Sequence, residues 1–170
     1  MTAADKAYRA AVEEIRRVKK AGEEELRLDE EKYRALARIP DEVKQLTGVN
    51  LIDLDRTSVA DLTPLTGMTW LESLSLSDTL VTDLSPLLSM TALLYLALDN
   101  TKVRDIHALS VHTNLQTLWL SNTHVFDVSP LAGLKALHFL ALEGTAITDI
   151  SPLASLKGLK NLRLERTAVA

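Results

Sequence analysis

Aliphatic residues recur along the chain at a fixed interval of 22 residues between Val49 and Val169. Three columns share this interval, and their members are Leu71, Leu93, Leu115, Leu137 and Leu159; Ile52, Leu74, Leu96, Leu118, Leu140 and Leu162; and Leu54, Leu76, Leu98, Leu120, Leu142 and Leu164. The alternation around the second and third columns is typical of a strand with one buried face. It predicts strands at 51–55, 73–77, 95–99, 117–121, 139–143 and 161–165 in one parallel sheet.

The second half of each unit is also regular. A threonine follows the third column by three residues, and then come a β-branched residue, an aspartate and usually Ser/Thr-Pro-Leu, as in Ser85-Pro86-Leu87. The threonine hydroxyl can bond backbone groups in the bend that burial would otherwise leave unpaired. Ser or Thr before Pro predicts a helix N-cap and first helical position. Each unit is therefore expected to be a strand, a buried bend and a short helix or 3-10 turn.

The complete pattern, L-x-x-L-x-L-x-x-T-x-V-x-D-L-S-P-L, resembles the 22-residue class of leucine-rich repeats, to which bacterial internalins and a eukaryotic protein-phosphatase regulator belong. The resemblance covers about residues 40–170 and departs at the bend, where that class usually has asparagine and this chain has threonine. It implies an α/β fold: a right-handed solenoid with a parallel sheet on its concave face and short helices or 3-10 turns on its convex face. It also implies binding to a protein, not catalysis.

The N-terminal segment follows a different, helical period, with an apolar stripe of Ala4, Ala7, Tyr8, Ala11, Val12, Ile15 and Val18. Thr2 and Asp5 form a capping box pattern, Gly22 is a stop signal, and 25–29 is expected to be a first strand. Residues 39–46 resemble a turn of many bacterial leucine-rich repeats. We interpret residues 1–48 as a cap over the first leucine layer, and 49–170 as five full repeats plus a half repeat. A dimerising or partner-binding helix is the alternative.

Composition narrows the functional classes. The chain has 170 residues, a net charge of -4 and no cysteine, which argues against a general nucleic-acid binder and excludes disulfides and thiolate metal sites. No signal peptide and no run of about 18 apolar residues is visible. The expectation is therefore a cytoplasmic protein without a membrane partner, with export by a route that needs no signal left open.

The sequence offers no chemistry for catalysis, and we predict no catalytic, cofactor-binding or metal-binding residue and no enzyme activity. The four histidines (His107, His112, His124 and His138) occupy different positions of the repeat and do not converge. The aspartate column, Asp61 to Asp149, is interpreted as turn-forming, with calcium binding as the alternative. The third repeat has His107-Ala108 in place of Ser-Pro, which is either neutral variation on the convex side or a local contact site.

The predicted concave face carries three rows of outward residues, one row on each side of the second column and one beyond the third. Aromatic residues are scarce in this chain, yet Tyr95, Trp119 and Phe139 fall on neighbouring strands of this face. An exposed apolar patch with a charged rim is typical of a protein-binding site. The predicted site is these three aromatics with an acidic rim of Asp53, Asp55, Asp99 and Glu143, and the predicted partner is a protein carrying basic residues. The alternative is that the aromatics merely pack on the sheet surface.

A further expectation concerns assembly. The last predicted strand presents an unpaired edge, which offers a route to a weak homodimer, although Lys157, Lys160, Arg163 and Arg166 oppose it.

The functional prediction is a non-enzymatic protein-interaction scaffold. The alternative is a recognition fragment of a larger signalling or effector protein whose catalytic domain is not in this chain.

Overall fold

The computed structural model describes residues 1–169, and within that range one parallel sheet of seven short strands runs the length of the molecule. The strands are β1 (Glu25–Arg27), β2 (Leu51–Asp53), β3 (Ser73–Ser75), β4 (Tyr95–Ala97), β5 (Thr117–Trp119), β6 (Phe139–Ala141) and β7 (Asn161–Arg163). Each strand pairs with the next along the chain, and such parallel crossovers are right-handed. The chain is therefore a right-handed coil, as predicted, with the sheet on its concave face. Ala170, the last residue of the predicted half repeat, lies outside the described residues.

The register of the sheet repeats the period of the sequence. From β2 onward the paired residues lie 22 positions apart, as in Leu74 and Leu96. Leu26 of β1 pairs instead with Ile52, 26 positions further on, so the first coil is the longest. This irregular first coil agrees with the predicted cap, although the boundary at residue 48 stays a prediction.

The strands are three residues long, whereas five were predicted. A left-handed residue (φ 56 to 66°) follows each strand from β2 to β7 three positions later, and the members of this column are Arg56, Asp78, Asn100, Asn122, Gly144 and Arg166. Such a residue turns the chain out of the extended conformation. Backbone pairing nevertheless continues into the bend, because the Arg56 N–H donates to the Ser77 carbonyl at 2.8 Å.

The threonine column closes each bend. Each threonine hydroxyl donates to the carbonyl oxygen three residues earlier at 2.6–2.7 Å, as Thr101 does to Leu98. Five of these threonines are at most 5% exposed: Thr57, Thr79, Thr101, Thr123 and Thr145. The expectation that the hydroxyl satisfies a buried backbone group is confirmed.

The convex side consists of 3-10 turns at Thr63–Leu65, Ser85–Ser89, His107–Val111, Ser129–Leu131 and Ser151–Ser155, preceded by turns at Glu31–Tyr33 and Asp41–Gln45 in the cap. The predicted N-cap role of Ser or Thr was wrong. Ser85 is the first residue of its turn, and its N–H donates to Asp83 Oδ1 at 2.8 Å. In each of the five repeat turns the aspartate two positions earlier therefore accepts the first N–H, which agrees with the turn-forming interpretation of the aspartate column.

Helix α1 (Ala3–Ala21) begins and ends where the sequence predicts. Thr2 and Asp5 form a reciprocal capping box, and Gly22 ends the helix in the left-handed conformation (φ 66°). The helix packs on β1 and the two cap turns through Ala7, Ala11, Ile15 and Val18. Ala4, which was predicted on this stripe, is exposed. The helix thus covers the first coil with its small and branched residues.

The core is a stack of leucine layers in which the second-column residues Ile52, Leu74, Leu96, Leu118 and Leu140 have no exposed surface. Leu162 of β7, in the same column, is 36% exposed because the described chain places a strand on only one side of β7. The predicted contact between two copies at this edge stays a prediction.

His112 interrupts another core column, whose other members include Met68, Met90 and Leu134. Its side chain is fully buried, with Nδ1 3.3 Å from the Leu109 carbonyl oxygen and Nε2 3.1 Å from the Leu87 carbonyl oxygen. Burial lowers the pKa of His112, and the carbonyl contacts oppose that shift only in part. His112 is therefore a core residue and not a surface contact, whereas His107 of the same repeat is exposed, and its role as a local contact stays a hypothesis.

We expect Thr101→Val to lower the free energy of unfolding by about 1–3 kcal/mol, because the shape is kept while the buried Leu98 carbonyl loses its hydroxyl donor. Thr82→Val is the matched control, since Thr82 is exposed on the preceding coil. Urea unfolding of both variants measures the difference. Equal stability of the two would show that the bend does not depend on the hydroxyl.

We expect acid to destabilise the wild-type protein more than a His112→Met variant. The pKa of His112 is lowered from 6.5 in the folded chain, so below that pH the unfolded chain binds a proton that the folded chain does not. Protonation of His112 therefore does not reduce the free energy of unfolding above about pH 6.5. Below that pH it lowers the free energy of unfolding by up to about 1.4 kcal/mol per pH unit. Urea unfolding at about pH 7.5 and about pH 5.5 measures this. Parallel behaviour of the two proteins would contradict the assignment, and the exposed His124→Gln serves as control.

Candidate functional site: the concave face

The sheet aligns three rows of outward side chains across the concave face. The first row is Leu51, Ser73, Tyr95, Thr117, Phe139 and Asn161, and the second is Asp53, Ser75, Ala97, Trp119, Ala141 and Arg163. The third row, Asp55, Ser77, Asp99, Ser121, Glu143 and Glu165, lies in the bend, where each following N–H donates to the next coil at 2.7–2.9 Å. All seven predicted site residues therefore belong to one continuous surface.

Two of the three predicted aromatic residues form a pair. The ring centroids of Trp119 and Phe139 are 4.4 Å apart, and the ring planes are inclined by 37°. Both side chains are half-buried, and the neighbours of Trp119 in its row are the small residues Ala97 and Ala141. We call Trp119 and Phe139 the aromatic shelf. It lies outside the leucine core and adds apolar surface to the concave face.

The indole nitrogen of Trp119 is buried without an acceptor, the one such side-chain atom within residues 1–169. A buried donor without a partner costs free energy. The orientation of the ring is therefore held by its neighbours on the shelf and not by a hydrogen bond.

Tyr95 lies apart from the aromatic shelf. It lines a hollow of about 330 Å³ together with Asp53, Asp55, Ser75 and Arg27, which belong to the first coils of the face. Partial burial raises the pKa of the Tyr95 hydroxyl, and the charges of Asp55, Asp99 and Asp53 raise it further. The structure thus divides the predicted aromatic centre into a shelf at β5–β6 and a tyrosine among carboxylates at β4.

The four rim carboxylates also accept hydrogen bonds from other residues of the solenoid. Asp55 Oδ1 accepts hydrogen bonds from the Ser75 hydroxyl and the Ser77 N–H, both at 2.7 Å. Asp99 Oδ1 accepts from the Ser121 N–H at 2.7 Å, and Glu143 Oε2 accepts from the Ser121 hydroxyl at 2.9 Å. Each bond joins one coil to the next.

Asp53 is tied within its own bend and to the cap. Its Oδ1 accepts from the Asp55 N–H at 3.0 Å, and its Oδ2 lies 3.4 Å from Arg27. The predicted rim is therefore part of the structural frame as well as a charged border.

The carboxylates of the face are incompletely compensated. Burial raises the pKa of Asp53 and of Asp99 above the usual range. The neighbouring charges of Asp55 and Asp29 raise the pKa of Asp53 further, and those of Glu143 and Asp55 act likewise on Asp99. A positive charge brought to this face would offset the repulsion between these carboxylates, which is the physical basis of the predicted preference for a basic partner.

Two basic residues of this surface were not included in the predicted site. Arg27 pairs with Asp53 at the first coils. The Arg163 guanidinium carbon lies 5.6 Å from the ring centroid of Trp119 and 5.3 Å from that of Phe139. The signal for Arg163 was its position in the second row, one strand beyond Ala141.

Within residues 1–169, no group of three or more His, Asp or Glu side chains is arranged to hold a metal ion. The same part of the chain contains no helix that is both long enough and apolar enough to cross a membrane. The predicted cytoplasmic location stays a prediction.

Comparisons with known proteins agree with this geometry. A family model described as Leucine Rich repeats (2 copies) matches residues 113–155. Among solved structures, an internalin C2 of Listeria monocytogenes is 35% identical, with a TM-score of 0.73 over 76% of this chain and 57% of that one. An internalin (inlF) of the same organism is 31% identical, with a TM-score of 0.76 over 81% of this chain and 40% of that one.

A leucine-rich-repeat protein of Leptospira interrogans shares the fold at 19% identity, with a TM-score of 0.63 over 78% of this chain and 41% of that one. The chain thus spans about half the length of these structures. No curated protein matches its sequence.

We expect Asp99→Ala, but not Asp99→Asn, to lower thermal stability at neutral pH. Asparagine keeps an oxygen for the Ser121 N–H and removes the charge that burial and Glu143 disfavour, so the melting temperature should stay equal or rise. Alanine leaves the N–H without this acceptor, which should cost about 1–3 kcal/mol. Calorimetry of the three proteins tests this, and a lower melting temperature for the asparagine variant would contradict it.

Proposed function

This chain is a leucine-rich-repeat protein, and we propose that it is a non-enzymatic interaction domain that binds a protein partner on its concave face. Leucine-rich-repeat proteins in general act as protein-interaction scaffolds. The observation that carries the proposal is the aromatic shelf. The ring centroids of Trp119 and Phe139 are 4.4 Å apart on the open side of the sheet, and neither residue is part of the leucine core. Large aromatic side chains in partly buried surroundings are typical of interface hot spots.

The charge of the face supports the choice of partner. Asp53, Asp55, Asp99 and Glu143 border the aromatic residues. Burial raises the pKa of Asp53 and of Asp99, and neighbouring carboxylates raise both further. Such a border favours a partner with basic residues and accelerates its approach more than it strengthens the complex. Tyr95 extends the contact surface into the acidic hollow.

The alternative, a recognition part of a larger signalling or effector protein, uses the same surface and differs only in what is attached to it. The three solved structures named above come from bacteria, which supports a bacterial source. We propose the cytoplasm as the location, with signal-less export as the alternative.

We expect Trp119→Ala to weaken partner binding by about 2 kcal/mol or more, about thirtyfold, mostly through faster dissociation. Phe126→Ala is the matched control, because Phe126 is an aromatic residue with 51% exposure outside the three concave rows. Partners are captured from the lysate of the source organism with wild type and both variants, and their dissociation constants are then measured.

The two variants must first show cooperative thermal unfolding, so that loss of binding is not loss of fold. Recovery of every wild-type partner at equal affinity by Trp119→Ala would overturn the concave-face proposal. Loss of binding in Phe126→Ala alone would move the site to the side of the coil.

A further inference from the structure

We propose that the aromatic shelf is a cation-binding site that Arg163 occupies in the free protein, and that an arginine or lysine side chain of the partner takes its place. This inference rests on the proposed function, and it specifies the chemistry that the partner must bring to Trp119 and Phe139. The partner segment carries a positive side chain at the centre of the contact, not only along its border.

The geometry of Arg163 carries the first step. Its guanidinium carbon is within 5.6 Å of the centroids of both rings of the shelf, the distance at which a cation is attracted to an aromatic face. Arg163 is in β7, and Ala141 lies between it and Trp119 in the second row. The methyl group of Ala141 leaves the arginine room to reach across one strand.

The second step is that Arg163 contacts the two rings although the neighbouring third row contains carboxylates. Glu143 and Glu165 are in the third row of the two last coils, yet within residues 1–169 no ion pair involves Arg163. The two π faces therefore hold a guanidinium in competition with the acidic border. A partner guanidinium has the same chemistry and meets the same faces.

The third step is that the contact of Arg163 is easily exchanged. The side chain is exposed, and an exposed cation–π contact is weak. Two cations cannot share the shelf without repulsion, so an incoming cation displaces Arg163 towards solvent. The surrounding rows carry five carboxylates, those of Asp53, Asp55, Asp99, Glu143 and Glu165, which attract the incoming charge.

The alternative chemistry is the reverse one, in which Arg163 stays on the shelf and receives a carboxylate of the partner. The acidic border opposes it, because a carboxylate would approach Glu143 and Glu165. The two chemistries predict opposite effects of removing Arg163, and this makes them separable.

The test uses the full chain and three short peptides: tri-arginine, the uncharged isostere tri-citrulline, and tri-glutamate. Binding is followed by the NMR signal of the Trp119 indole, assigned by its loss in Trp119→Phe. We expect tri-arginine to shift this signal and tri-citrulline to leave it unchanged. Arg163→Gln should bind tri-arginine about twofold to fivefold more tightly than wild type, the range that one exposed cation–π contact gives.

Lys157→Gln is the control, because it removes the same charge from an exposed position between the 3-10 turn Ser151–Ser155 and β7, outside the three concave rows. Equal tightening by Lys157→Gln and Arg163→Gln would mean that only net charge matters, and would overturn the proposal. It is also overturned if tri-citrulline shifts the indole signal as strongly as tri-arginine does. A shift by tri-glutamate that disappears in Arg163→Gln would establish the carboxylate chemistry instead.

These measurements need no natural partner, so their failure is distinct from that of the proposed function. If Trp119→Ala loses the captured partner while Arg163→Gln has no effect on tri-arginine, the concave site stands and its cation chemistry falls. The converse pattern leaves a cation shelf without a concave protein partner.

Discussion

The hydrogen bond from each threonine hydroxyl to the carbonyl three residues earlier is the contact on which the regularity of this coil depends. The bend must return the chain from the sheet through a buried region, where an unpaired carbonyl is expensive. The left-handed residue between the two partners, Asn100 in the coil of Thr101, brings the hydroxyl to 2.7 Å from the Leu98 carbonyl. Repetition of this bend keeps the coils from β2 onward the same length, and equal coils keep the leucine layers in register.

The alignment of the side chains on the concave face is a consequence of that register. Because paired residues stay 22 positions apart, each outward position of the repeat becomes a straight row across the concave face. The third row uses its carboxylates to tie coil to coil, as Asp99 does with the Ser121 N–H. The rim charges are therefore fixed in position by the frame itself, so the proposed partner would meet a charge pattern that needs little ordering before binding.

Most of the fold could be predicted from the sequence, because it depends on periods. The leucine columns determine the parallel strands, and the threonine column determines the bend. The three-residue length of the strands could not be predicted as readily: Asn100, Asn122 and Gly144 tolerate the left-handed conformation that ends a strand, but Arg56 and Arg166 occupy the same column and obscure the signal. The division of the aromatic centre was hidden for another reason. The 22-residue period predicts which residues are neighbours in a row. The side-chain orientations of Tyr95, Trp119 and Arg163 depend instead on packing between coils.

In a solenoid whose bends are hydrogen-bonded and whose leucine layers are filled, a residue that differs from the rest of its column or row is informative, because the fold does not require it. His112 departs from a Met and Leu column and remains buried, with its ring nitrogens at two backbone carbonyls, so it adds an acid-sensitive group to the core and nothing to the surface. Trp119 and Arg163 depart from the second row, whose other members are small or acidic. They meet above Ala141, and the indole N–H of Trp119 is left without an acceptor. A buried indole N–H without an acceptor costs free energy, so this arrangement is not the most stable one for the Trp119 side chain. The unpaired N–H and the two rings that Arg163 contacts lie together on the concave face, and this coincidence is what the proposed cation-binding site rests on.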